Sequence, residues 1–231
     1  MIGKRFTAAI ACALAFGAAV PAFAQVAPRP AELWAYTGLH LAAALGDASE
    51  AARLIGMGAD VNSRDGYERT PLHVAAYFGR RDVIALLAGA GADLGAKERD
   101  RYDAVTIAAV ADDVATLKVL LDLGASARLV TSRHDGTALI AAAHLGHDEA
   151  VKLLIRAGAP LDHVNSLGWT AVIEAIVLGK GGPRHVETLR ALVRAGANVN
   201  LPDRDGMTPR ALAWVRGYWP MVSVLENAGA R

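Results

Sequence analysis

Thr70-Pro71-Leu72-His73-Val74-Ala75-Ala76, then Gly79, then Val83-Ile84 and Leu86-Leu87, then Gly91-Ala92-Asp93, is the stretch on which the fold turns. Thr70 is placed to cap a helix whose first residue is Pro71, a ring already set at helical φ and lacking the N–H that would go unpaired there. Ala75 and Ala76 keep that helix thin, so a neighbour can approach closely. Gly79 ends it where a left-handed residue is wanted. The Val83, Ile84, Leu86, Leu87 cluster marks the buried stripe of a second helix, which Gly91 closes. Residues 92–99 then project as a hairpin-like loop before the next cap.

Working outward, the cap returns at a spacing of about thirty-three residues, which is the mark of a solenoid built from stacked units. Thr37, Thr70, Thr137, Thr170 and Thr208 recur, with Asp103 in the one vacant register. A glycine follows each of them at a similar distance: Gly58, Gly91, Gly124, Gly158, Gly196 and Gly229. The fold expected is all-α, with helix–turn–helix units and projecting loops between them. Departures from the pattern are local. The third unit has Asp103-Ala104-Val105-Thr106 for Thr-Pro-Leu-His and Asp112-Asp113 for Gly-His. Aspartate caps helices and tolerates a left-handed turn, so that unit should persist in weakened form. The fifth carries Lys180-Gly181-Gly182-Pro183-Arg184 between its helices, read as a longer surface loop. In the sixth, Arg210 and Glu226 stand at positions that are apolar elsewhere, as a terminal capping unit requires.

The Thr-Pro-Leu-His-x-Ala-Ala run, the paired glycines and closures such as Gly58-Ala59-Asp60-Val61-Asn62 together resemble the ankyrin repeat. The likeness covers residues 33–231 in six repeats, bounded at about 33–64, 65–97, 98–131, 132–164, 165–202 and 203–231. The resemblance implies binding of another protein through a concave face, lined by finger tips and by exposed positions late in each first helix. Here those positions hold Tyr36, Tyr67, Arg69, Tyr77, Phe78, Arg99, Tyr102, His134, His144 and Trp169. Tyr67, Tyr77, Phe78 and Tyr102 are expected to share one groove, with Arg69 and Arg99 at its rim. Aromatic residues and arginine are the side chains most enriched at interface hot spots.

The N-terminal residues have a different character. Lys4 and Arg5 precede the uncharged apolar run Phe6 to Val20, and Pro21-Ala22-Phe23-Ala24 puts small residues where signal peptidase reads. Residues 1–24 are therefore expected to be a cleavable secretory signal, cut before Gln25, with a tether over residues 25–32. The run is shorter than the roughly 20 residues needed to span a bilayer. Cys12 has apolar sequence on both sides, which does not suit a lipid-attachment site, and no other cysteine exists. An exported chain without disulfides must take its stability from repeat packing. Cleavage would remove Lys4 and Arg5, leaving 22 of the 24 basic residues against 23 acidic ones. That balance points away from nucleic acid. A periplasmic location is expected, with full secretion as the alternative. The chain is similar to signal-bearing bacterial ankyrin proteins, some of which are linked to stress defence.

No nucleophile elbow, phosphate-cradling loop or His-Glu-x-x-His run occurs, so no catalytic residue and no cofactor is expected. His40, His73 and His147 fall at framework positions. His134, His144 and His163 lie beside the fourth and fifth fingers, where a metal would need a shared ligand set that no tight spacing supports; no metal is expected. The expected protein is a monomeric, non-catalytic interaction module. A metal- or small-ligand-binding protein, or a secreted effector or toxin neutraliser, is the alternative.

Overall fold

The computed structural model describes residues 27–231; the expected signal, including Cys12, lies outside them. Thirteen helices and one two-stranded ribbon make up the described residues. They fall into two compact units, one ending at Ile107 and the other running from Ala108 to Arg231.

The first unit holds α1 (Pro30–Ala35), α2 (Gly38–Leu45), α3 (Ala48–Gly56), α4 (Pro71–Tyr77) and α5 (Arg81–Gly89). Thr70 caps α4 as its sequence requires: its side chain accepts the His73 N–H, and Pro71 takes the first helical position. Thr37 makes no such bond, because Gly38, standing where proline is usual, has φ +52°. Helix α2 packs on α4 and α3 on α5, so first helices stack on first helices and second on second. Leu72, Val83, Ile84 and Leu87 are buried between these layers.

Helix α6 (Ala104–Val110) opens with Asp103, whose Oδ1 accepts the Thr106 N–H at 2.8 Å. The turn after it is closed by Asp112, with φ +55°, where Gly79 of the preceding repeat has +61°. Both aspartates thus do the work expected of the Thr and Gly they replace.

In the second unit, α7 (Val114–Asp122) is followed by the finger ribbon β1 (Val130–Thr131) and β2 (Gly136–Thr137), antiparallel with Val130 opposite Thr137. Then come α8 (Ala138–Leu145), α9 (Asp148–Arg156), α10 (Ala171–Val177), α11 (Pro183–Arg194), α12 (Pro209–Val215) and α13 (Trp219–Asn227). Helices α8, α10 and α12 stack in one layer, and α7, α9, α11 and α13 in the other. Leu120, Leu154, Leu189 and Leu192 are fully buried in the second-helix layer. Truncating such a leucine typically costs about 2–5 kcal/mol. The ankyrin-repeat solenoid expected from the sequence is the fold observed.

Two expectations change. Residues 30–32, placed in a tether, form the first turn of α1, where Pro30 supplies a preset φ. Pro183 and Arg184, placed in a surface loop, begin α11, and Arg184 pairs with both Asp112 and Asp148.

Candidate functional site

The finger between α3 and α4 is organised by Asp65. Its Oδ1 accepts the N–H groups of Tyr67 and Arg69, and its Oδ2 accepts the Tyr36 hydroxyl and Arg69 Nε, all at 2.7–2.9 Å. Burial works to raise the Asp65 carboxyl, but these donors outweigh it and hold it below the usual carboxylate range. The second nitrogen of the Arg69 fork donates to Glu32 Oε2 at 2.6 Å.

Arg69 is therefore not a rim residue. At 1% exposure it is a buried strut tying α1 to the finger. Removing Arg69 would leave two partly buried carboxylates, Glu32 and Asp65, short of a partner. Tyr36 is likewise buried by its bond to Asp65.

Tyr67 stands above this network. The guanidinium carbons of Arg69 and Arg99 each lie 4.7 Å from its ring centroid, and that of Arg29 lies 5.4 Å away. Arg29 Nη2 also donates to the Tyr67 hydroxyl at 2.5 Å, and Arg99 Nη2 to the Gly66 carbonyl at 2.5 Å. A partly exposed ring is thus held still by one buried and two exposed cations. Tyr102 is partly exposed, its N–H donating to Glu98 Oε1, and Glu98 is raised by burial.

Tyr77 and Phe78, at the end of α4, differ from each other. The Tyr77 hydroxyl is buried with no hydrogen-bond partner among the described residues, and burial pushes its pKa up. Phe78 is the helix C-cap residue and partly exposed. Both residues are partly exposed, but Tyr77 keeps its polar end inward, so what each offers outward is apolar ring surface.

The remaining candidates lie in the second unit. His134 is exposed at the ribbon turn, its carbonyl accepting the Ser166 N–H. Trp169 is partly exposed, its backbone held by Asn165. His144 Nδ1 lies 3.4 Å from Glu174 Oε2. Glu174 occupies a buried site where the second repeat has Val74, and its other oxygen accepts Asn165 Nδ2 at 2.8 Å.

His163 is engaged elsewhere, donating to the Asp135 carbonyl at 2.6 Å. Among the described residues, no group of three or more His, Cys, Asp or Glu is placed to hold a metal ion. No described helix is long and apolar enough to cross a membrane. The framework histidines bond across repeats: His40 to the Arg69 carbonyl, His73 to that of Tyr102 and His147 to that of Ala109.

Sequence reasoning passed over Glu174, Trp214 and Trp219. Glu174 was detectable as a carboxylate in an apolar register, and Trp214 as a tryptophan where the other repeats carry alanine or isoleucine.

Comparison with known proteins agrees with this architecture. Residues 39–88 match the family model described as ankyrin repeats (many copies), and residues 105–203 that described as ankyrin repeats (3 copies). The chain is 31% identical to the ankyrin repeat protein YahD of Escherichia coli K12, over 82% of this chain and 94% of that one. An ankyrin repeat domain from Acinetobacter baumannii AYE superposes with a TM-score of 0.79 at 39% identity, covering 84% of this chain and 98% of the other. The ankyrin repeat domain of Bcl-3, a member of the IkappaB protein family, gives 0.78 at 28% identity, covering 85% and 87%. On its repeats, its caps and these likenesses, the chain belongs to the ankyrin-repeat family.

Proposed function

We propose that this chain is an exported, non-catalytic protein that binds another protein through the fingers and first-helix ends of its first unit. Ankyrin repeats are generic protein-interaction modules, and the observation that favours this surface is the Tyr67 ring. Three guanidinium groups surround it, so its rotamer is set before any partner arrives. An aromatic side chain already ordered loses little entropy on binding. Phe78 and Tyr102 add partly exposed aromatic area in the same unit. Export to the periplasm rests on the Lys4-Arg5 start, the apolar run and the Ala22-Phe23-Ala24 segment.

Affinity capture from native periplasm, with Tyr67→Ala and Phe78→Ala as variants, tests this reading. Each truncation should cost about 2 kcal/mol or more of binding if the residue is a hot spot. Helical content should hold, because Leu72, Val83, Ile84 and Leu87 carry the core. Full capture by well-folded variants would move the interface elsewhere.

A further inference from the structure

The sixth repeat breaks a rule that the other five keep. Six places after each cap residue stand Ala43, Ala76, Ala109, Ala143 and Ile176, all buried. The sixth repeat puts Trp214 there, at 51% exposure. Val215 beside it is 66% exposed, and Trp219, at the start of α13, is 56% exposed. The two indoles meet edge to face, with centroids 4.9 Å apart and planes at 88°. The Arg210 guanidinium lies 5.5 Å from the Trp214 centroid and reaches Glu226 Oε1 at 2.7 Å. Glu226, Arg210, Trp214 and Trp219 thus form one unbroken patch. Two tryptophans add a large apolar area that water does not favour, which is the mark of a contact surface.

We infer that this patch is an isologous contact through which two copies of the chain pair. An isologous interface presents the same surface twice, so it must be complementary to itself. A patch of single charge would repel its own copy. This one has an aromatic centre flanked by one cation and one anion. Arg210 of each copy can therefore face Glu226 of the other while the indoles meet between them. The nearby Arg216 is turned back onto the Leu212 carbonyl at 3.1 Å and adds no competing fork. Tryptophan and arginine are also leading hot-spot residues. The pairing replaces the monomer expected from sequence and is independent of the surface proposed in the first unit.

Charge reversal supplies the test. Light scattering of the purified chain, from micromolar to submillimolar concentration, should show its mass doubling. Arg210→Glu and Glu226→Arg each give the patch like charges, so each variant alone should stay at monomer mass. An equimolar mixture of the two should regain the doubled mass, because the patches are then opposite in sign. Trp214→Ser combined with Trp219→Ser should be monomeric throughout, with circular dichroism confirming that it folds; this variant carries the test should a charge reversal unfold the repeat. A wild-type chain of monomer mass at every concentration overturns the proposal. So does a dimer that survives the double serine change, or a mixture of well-folded charge variants that stays monomeric.

Discussion

At the scale of single residues, His73 shows how a framework position becomes a pH-sensitive one. Its Nδ1 accepts the Thr70 N–H and its Nε2 donates to the Tyr102 carbonyl, so both nitrogens are used in the neutral form. Burial pushes its pKa down to about 4 from 6.5. The unfolded chain therefore takes up a proton below 6.5 that the folded chain refuses until about 4. Stability should fall as pH drops through that window, by about 3 kcal/mol for this residue. Burial lowers His185 in the same direction, whereas it raises Glu98 and Asp103, which work in the opposite sense. Comparing wild type with His73→Gln isolates the residue: denaturant midpoints measured from pH 7 to pH 4 should fall more steeply for wild type. Parallel curves would show that His73 takes up its proton at the same pH in the folded and the unfolded chain.

At the scale of elements, the α10–α11 connection is more constrained than its glycines suggest. Gly181 has φ +63°, and a Cβ there would lie 2.5 Å from the Tyr218 ring. Tyr218 in turn donates to the Gly179 carbonyl at 3.1 Å. Further on, Arg184 reaches Asp112 and Asp148, which belong to the two repeats before it. A loop free in solvent would accept Gly181→Ala with almost no cost. Here the change should destabilise by roughly 1–3 kcal/mol, since it joins backbone strain to a clash. Thermal unfolding checks this, and an unchanged midpoint would return the segment to the status of a plain surface loop.

At the scale of the whole molecule, the repeats supply stability through neighbours, and the N-terminal residues bear on where the protein works. The proposed export makes a direct prediction. The intact mass of the protein recovered from the periplasm should correspond to a chain beginning at Gln25. A mass retaining residues 1–24, or carrying a lipid on Cys12, would contradict the proposed location.

The sequence by itself determined the period, the caps and the helix ends, because each depends on groups a few residues apart. Thr70 with His73 and Asp103 with Thr106 are three residues apart, and a left-handed Asp112 is a property of one backbone position. Which candidate residues face outward was not legible at that range. Arg69 reads as an exposed rim cation until Glu32, 37 residues away, arrives to bury it. Tyr77 and Phe78 are both partly exposed, yet packing buries the Tyr77 hydroxyl, which its place beside Phe78 in the sequence did not reveal. Arg184 finds Asp112 across 72 residues. Helices form from local hydrogen bonds that sequence spacing encodes, whereas burial and ion pairing depend on which surfaces the stacked repeats bring together, and only the tertiary structure decided those.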